Sequence, residues 1–132
     1  MKILIVDDKP YVRATLRDFL APYKYFEVCG EAVDGIEAIA QAENRHPDVI
    51  LMDLSMPNLN GAEAAVAIKK VLRHVQIILF TGYDMSAKTP PGVDVVVSKW
   101  NGTRELAKAL QNVFVSLKNS DVATAIKPAA DD

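Results

Sequence analysis

Residues 49–61 read VILMDLSMPNLNG, an unbroken apolar run that leads to a single aspartate, Asp53. Apolar residues without polar alternation are typical of a strand that is buried on both faces. Further along, Asn60 with a glutamate three residues later is the start signal of a helix. The stretch therefore predicts a buried strand, a loop and a helix, the repeating unit of an α/β fold.

Three further runs are mainly apolar, and each leads to polar side chains. They are residues 3–6 before Asp7 and Asp8, residues 77–80 before Thr81, and residues 93–97 before Lys99. In a parallel sheet the carboxyl ends of the strands share one edge, and the ligand crevice lies outside that edge. We therefore expect three carboxylates, a hydroxyl and an ammonium to meet in one cleft.

Helical patterns separate the predicted strands. The first helix begins at Pro10 and the second after Asp34, a side-chain cap. The third begins after Asn60 and the last near Asn101, whereas alternation at residues 26–28 predicts a half-exposed edge strand. Five strands with helical crossovers predict a doubly wound α/β fold. The expected inner faces of the helices are Val12, Leu16, Phe19 and Leu20; Ile36, Ile39 and Ala40; Ala65, Ile68 and Leu72; and Leu106, Leu110, Val113, Phe114 and Leu117.

Bulk composition limits the class of protein. The chain has 132 residues, half of them hydrophobic, a formal net charge of −2 and one cysteine, Cys29. This length suits one domain, and a lone cysteine excludes an internal disulfide and fits a reducing compartment. The sequence contains no membrane-span or signal-peptide pattern and no basic patch for nucleic acid. We therefore expect a cytoplasmic protein that contacts neither membrane nor nucleic acid through this segment.

The apolar periodicity ends near Lys118. Residues 1–118 are therefore predicted to form the folded domain. Residues 119–132, with their alanine, aspartate, serine and proline, are expected to form a flexible tail or the start of a linker.

The predicted cleft has an electrostatic consequence. Carboxylates within a few ångström raise each other's pKa, and a single ammonium cannot balance three of them. A hard divalent cation would relieve the repulsion, and oxygen-only ligands suit Mg²⁺. The residues themselves therefore predict a site for a metal ion and a phosphoryl group.

These motifs, taken together, resemble the receiver domain of two-component response regulators. The matching pieces are Asp7-Asp8, the stretch from Asp53 to Gly61 with its Met-Pro and Asn-Gly, Thr81-Gly82, and Lys99. The resemblance covers residues 1 to about 118, and the ordered set is specific although no single piece is. It implies a flavodoxin-like fold with strand order 2-1-3-4-5 and the cleft at the switch point between strands 1 and 3.

The resemblance also implies a role for each residue. Asp53 would accept a phosphoryl group from a phosphohistidine. Asp8, Asp53 and the backbone carbonyl of Ser55 would ligate Mg²⁺, with Asp7 holding the ion through water. Lys99 and Thr81 would bind phosphoryl oxygens, and the threonine would pull its loop toward the phosphate.

The implied partners are those of a signalling switch. They are a sensor histidine kinase or phosphotransfer protein upstream and a protein target or effector domain downstream, and a homodimer is also allowed. Slow self-dephosphorylation, rather than turnover of a substrate, would make the chain a switch and not an enzyme.

Three departures from the family pattern fall on the surface that usually reads out phosphorylation. Trp100 replaces the proline that usually follows the lysine, so we expect a trans peptide there. Val96 stands where an aromatic residue is usual. The segment between Thr81 and Lys99 is short, and its Thr-Pro-Pro-Gly at 89–92 predicts a shortened or missing fourth helix, with Asp84 to Lys88 forming a turn at most. We therefore expect an atypical output face, with Ser55, Tyr83, Val96 and Trp100 as candidate modulators.

Other functions remain open at this stage. The main alternative is a phosphorylation-independent pseudo-receiver that binds a fixed partner. A third possibility is an aspartate-nucleophile phosphatase. Such enzymes usually carry a second aspartate two residues after the nucleophile, and Ser55 at that position argues against this function. A flavin mononucleotide site is disfavoured because Asp7 and Asp8 would repel its phosphate unless a metal intervened.

Overall fold

The computed structural model describes residues 1–83 and 88–126, and of residues 120–126 the backbone only. Strands and helices alternate along the chain. They are β1 (Lys2–Val6), α1 (Pro10–Leu20), β2 (Glu27–Ala32), α2 (Gly35–Arg45), β3 (Val49–Met52), α3 (Gly61–Val71), β4 (Gln76–Thr81), β5 (Val95–Ser98), a 3₁₀ turn (Lys99–Asn101) and α4 (Thr103–Ile126).

The five strands form one parallel sheet in the order β2-β1-β3-β4-β5. This confirms the doubly wound, flavodoxin-like fold and its predicted strand order. Val6 pairs with Met52, so Asp7 and Asp53 follow neighbouring strands at the same level. Thr81, the last residue of β4, pairs with Ser98, which directly precedes Lys99. The register therefore brings the predicted site residues to one edge of the sheet.

The helices cover both faces of the sheet because alternate strand residues point in opposite directions. Leu4 and Val6 of β1 pack in one core cluster, toward α2 and α3. Ile3 and Ile5 pack in the other, toward α1 and α4. Burial on both faces explains why residues 3–6 of β1 and all of β3 are unbroken apolar runs.

Local signals start the helices where the sequence predicts them. Pro10 occupies the first turn of α1. Asp34 accepts a hydrogen bond from the backbone N–H of Glu37 and caps α2. Asn60 and Glu63 form a reciprocal capping box at α3.

The predicted inner face of α2 is wrong at two positions. Ile36 and Ala40 are exposed, whereas Gly35, Ala38 and Ala42 are fully buried. Small side chains let this helix lie close to the sheet and to α3, and that close approach turns Ile36 outward. The helix therefore buries its alanine side and not its larger apolar side.

The connection from β4 to β5 differs from a helical crossover. Its described residues, Gly82, Tyr83 and 88–94, contain no helix, which agrees with the shortened or missing fourth helix. Most of the expected turn, residues 84–87, lies outside the described residues. Gly92 has a φ of 82°, and a Cβ there would come within 3.0 Å of the Ala65 carbonyl carbon. The Pro-Pro-Gly turn therefore packs closely on α3.

Strand β5 is less buried than its sequence predicts. It begins at Val95, and of its residues only Val97 is buried. β5 is the edge strand next to the short connection, so one of its faces lacks the full cover that a crossover helix gives. The run at 93–97 is therefore not buried on both faces.

The last helix is longer than the apolar periodicity predicts. It continues beyond Lys118 to Ile126. Helical hydrogen bonds are made within the segment and do not require an apolar partner face. Residues 127–132 lie outside the described residues, and the domain boundary at 118 stays a prediction. Among the described helices, none combines the length and the apolarity that crossing a bilayer requires.

We expect Gly61→Ala to destabilise the fold and to disturb Asp53. A Cβ at residue 61 would lie 2.2 Å from the Asp53 carbonyl oxygen, so the backbone must shift. The expected loss is about 1–3 kcal/mol of the free energy of unfolding, measured by urea denaturation. Gly82→Ala is the matched control, since its Cβ would lie at least 3.7 Å from its neighbours. Equal stabilities of the two variants would contradict the close approach.

Candidate functional site

Asp7, Asp8 and Asp53 form one cluster, here called the acidic trio. Each offers one carboxylate oxygen, and these oxygens all lie within 4.8 Å of one another. Asp7 and Asp53 are buried, and Asp8 is exposed. The backbone N–H of Asp53 donates to the Val6 carbonyl at 3.0 Å, which extends the β1–β3 ladder to the site. The sheet thus holds three carboxylates close together although their like charges repel each other.

Lys99 reaches the acidic trio from the far strand. Its Nζ lies 3.1 Å from Asp7 Oδ2 and 3.5 Å from Asp53 Oδ1. The peptide that follows it is trans, as expected from Trp100. The backbone N–H of Trp100 donates to Ser98 Oγ at 3.1 Å and closes the turn that carries the lysine. Proline is therefore not needed to direct Lys99 to the site.

Lys9 is the site residue that the sequence analysis missed. Its Nζ lies 3.2 Å from Asp8 Oδ1, 3.2 Å from Asp53 Oδ2 and 3.4 Å from Asp7 Oδ1. Burial alone would lower the pKa of Lys9, but the hydrogen bond to Asp8 and the charges of Asp7 and Asp53 raise it above its ordinary value. The available signal was its position directly after the acidic pair.

Thr81 is fully buried at the end of β4. Its Oγ1 accepts a hydrogen bond from the backbone N–H of Tyr83 at 3.1 Å, so the hydroxyl is engaged within its own loop. Tyr83 itself is exposed. The oxygen that accepts this bond still carries a hydroxyl proton that can be donated.

Trp100 joins this loop to the loop of Lys99. Its indole Nε1 donates to the Gly82 carbonyl oxygen at 2.8 Å, although 82% of the residue is exposed. Val96, the other departure on this face, lies half-buried on β5 and packs against the core toward α2 and α3. This side-chain hydrogen bond thus connects the two segments that carry Thr81 and Lys99.

The loop that follows Asp53 is held by the start of α2. Asn58 has a left-handed φ of 68°, and its Nδ2 donates to Asp34 Oδ2 at 2.7 Å. The backbone N–H of Glu37 and the amide of Asn58 lower the pKa of the Asp34 carboxyl. Ser55 is exposed within this loop. Its proposed role as a carbonyl ligand stays a prediction.

Arg13 supports the acidic trio from α1. Its Nη1 donates to the backbone carbonyl of Asp7 at 2.8 Å, and its Nε donates to Glu31 at 2.9 Å. Arg17 pairs with the other oxygen of Glu31. One glutamate on β2 therefore holds two arginines of α1, and one of these fixes the backbone of Asp7.

The donor set fits a hard divalent cation. All three groups are carboxylates, which suit Mg²⁺ or Ca²⁺ better than softer metals. The two ammonium groups of Lys9 and Lys99 balance two of the three carboxylate charges, so this group of five side chains keeps a net charge of −1. The arrangement can therefore attract a cation and place positive charge beside an incoming anion.

Comparisons with known proteins match this chain to one family. The response regulator receiver domain family matches residues 3–112. The response regulator protein VraR from Staphylococcus aureus is 35% identical over 115 residues, which is 84% of this chain and 55% of the relative. The chain thus spans about half the length of that relative.

Solved structures share the fold. A two-component response regulator of the LuxR family from Aurantimonas sp. SI85-9A1 aligns with a TM-score of 0.81 at 29% identity, covering 87% of this chain and 85% of that one. TrrA from Thermotoga maritima, a response regulator protein crystallised in complex with Mg(2+)-BeF, aligns with a TM-score of 0.77 at 29% identity, covering 85% of this chain and 97% of that one.

Proposed function

Because the chain belongs to the response regulator receiver domain family, we propose that it is a phosphorylation-dependent switch that accepts a phosphoryl group on Asp53. The observation that carries the proposal is the setting of this carboxylate. Asp53 is buried, faces an ammonium on each of its two oxygens, and shares a metal-sized cluster with Asp7 and Asp8.

The acceptor reaction needs positioning and charge more than covalent help from the protein. One oxygen of Asp53 attacks the phosphorus of a phosphohistidine, the P–N bond breaks, and the electron pair stays on the histidine nitrogen. Lys99, already 3.5 Å from Asp53, supplies a point charge for a phosphoryl oxygen. The product is an aspartyl phosphate.

A divalent cation, Mg²⁺ by the donor chemistry, would be held by Asp8, Asp53 and the carbonyl of Ser55, with Asp7 acting through water. When bound, it neutralises charge on the phosphoryl oxygens. Asp7 and Asp53 are held by sheet hydrogen bonds and Asp8 lies at the solvent edge, so the side chains are arranged before any ligand arrives.

The switch lies in the loop of Thr81. Phosphorylation adds roughly −1.5 to −2 charges, enough to bias a two-state loop. The Thr81 hydroxyl, which now accepts from Tyr83, would donate to a phosphoryl oxygen, and Gly82 would move with it. In this family the aromatic residue at the position of Val96 usually moves with the threonine, and valine is too small for that role. Because Trp100 binds the Gly82 carbonyl, we assign the role to Trp100.

The proposed partners follow from the reaction. A sensor histidine kinase or phosphotransfer protein supplies the phosphoryl group. A downstream protein or an effector domain binds the atypical output face, which includes β4, β5 and the connection between them. A second copy of the chain is a further candidate for the binding partner. We place the receiver domain at residues 1–118 and assign residues 119–132 to a tail or linker.

We expect incubation with acetyl phosphate and Mg²⁺ to add one phosphoryl group, detected by intact-protein mass spectrometry. Asp53→Asn removes the nucleophile, so its gain should be absent, and a chelator should abolish the gain in the unaltered protein. Asp18→Asn, an exposed aspartate of α1, is the matched control and should keep the gain. No gain in the unaltered protein would favour the phosphorylation-independent binding module, and a gain that survives Asp53→Asn would locate the acceptor elsewhere.

We expect phosphorylation to change the fluorescence of Trp100, the only tryptophan of the chain. The change requires the Thr81 hydroxyl to move, so Thr81→Ala should keep the mass gain on Asp53 but lose most of the fluorescence response. Mg²⁺ without a phosphodonor is the control for direct effects of the metal. An equal response in Thr81→Ala would contradict the coupling through Gly82.

A further inference from the structure

Lys9 contacts all three carboxylates of the acidic trio, whereas Lys99 contacts two. The two lysines also use different oxygens. On Asp7, Lys9 faces Oδ1 and Lys99 faces Oδ2; on Asp53, Lys9 faces Oδ2 and Lys99 faces Oδ1. Each buried carboxylate therefore lies between two ammonium groups, and only the ammonium of Lys9 also reaches Asp8.

From these contacts we infer that Lys9 is an internal counter-cation that competes with the divalent metal ion for the acidic trio. The inference rests on the proposed function, because it assigns a second cation to the same three carboxylates.

Charge balance supports the competition. The two positive charges of a divalent cation and the one of Lys99 equal the three negative charges of the carboxylates. The ammonium of Lys9 is then a surplus positive charge. Two cations held within a few ångström of each other repel strongly in a partly buried site. Lys9 must therefore withdraw from the trio, at least in part, when the metal binds.

The local structure lets Lys9 withdraw without moving its backbone. Its backbone N–H donates to Asp7 Oδ1 at 2.9 Å, and the residue directly precedes Pro10 at the start of α1. The ammonium is carried by a flexible four-carbon stem, and 37% of the side chain is exposed. Rotation of the stem toward solvent is enough to release the carboxylates.

Lys99 does not have the same freedom. Only 22% of its side chain is exposed, and its Nζ lies 5.8 Å from the centre of the Phe80 ring. It also has a proposed role toward the phosphoryl group. Lys9 is therefore the cation that is exchanged, and Lys99 is the one that stays.

The test is the affinity for Mg²⁺ alone, with no phosphodonor, measured by isothermal titration calorimetry on the full chain. Lys9→Met keeps the length of the side chain and removes its charge. Because this variant lacks the competing ammonium, we expect its Kd for Mg²⁺ to be about threefold to tenfold lower than that of the unaltered protein. The expected change is modest because ion pairs of partly exposed lysines are individually weak. Lys9→Arg retains the charge and should bind Mg²⁺ no more tightly than the unaltered protein.

Lys24→Met is the matched control for net charge, because Lys24 is exposed in the loop between α1 and β2, at the opposite edge of the sheet. Its Kd for Mg²⁺ should not change. Lys9→Gln serves as a second neutral variant, and far-ultraviolet circular dichroism checks that each variant is folded.

The outcomes separate this inference from the proposed function. Unchanged or weaker Mg²⁺ binding in both neutral Lys9 variants would overturn the competition and leave phosphorylation of Asp53 intact. The same gain in Lys24→Met would also overturn it, because a general charge effect would explain the result. Absence of Mg²⁺ binding in the unaltered protein and in both neutral variants would overturn the inference and the metal site together.

Discussion

Two buried carboxylates, Asp7 and Asp53, lie side by side at the ends of neighbouring parallel strands, and the rest of the site is organised around their repulsion. The register of β1 and β3 fixes the backbones of these two residues side by side. Buried like charges are tolerated only with cations close by, and Lys9 and Lys99 provide them. The fold thus concentrates negative charge, and an arrangement of this kind attracts a cation.

The surrounding loops hold this arrangement from several directions. Arg13 fixes the backbone of Asp7, and Asp34 holds Asn58 in the loop that follows Asp53. Gly61 allows α3 to start directly against the carbonyl of Asp53. These contacts are made by backbone groups or by side chains that have defined partners, so the carboxylates are positioned before a ligand arrives. A site arranged in this way loses little entropy when the phosphoryl group binds.

The edge of the sheet at β4 and β5 has a short connection between its strands. Between β4 and β5 the described residues contain a Pro-Pro-Gly turn that packs on α3 and no helix. The contact that spans the two functional loops is instead the indole of Trp100 on the Gly82 carbonyl. This side chain is exposed, and Val96 stands where the family usually carries an aromatic residue.

The sequence alone determined the fold class and which residues reach the site edge, and its resemblance to the receiver family implied the strand order. Apolar runs mark buried parallel strands, and residues at strand ends can go only to one edge of the sheet. Tertiary structure decided the rest: which face α2 buries, how far α4 extends, and that Lys9 turns into the acidic trio. Periodicity favours large apolar side chains, so it selected Ile36, although close packing prefers Ala38 and Ala42. A lysine stem has several rotatable bonds, and only the charges assembled by folding select one direction for it.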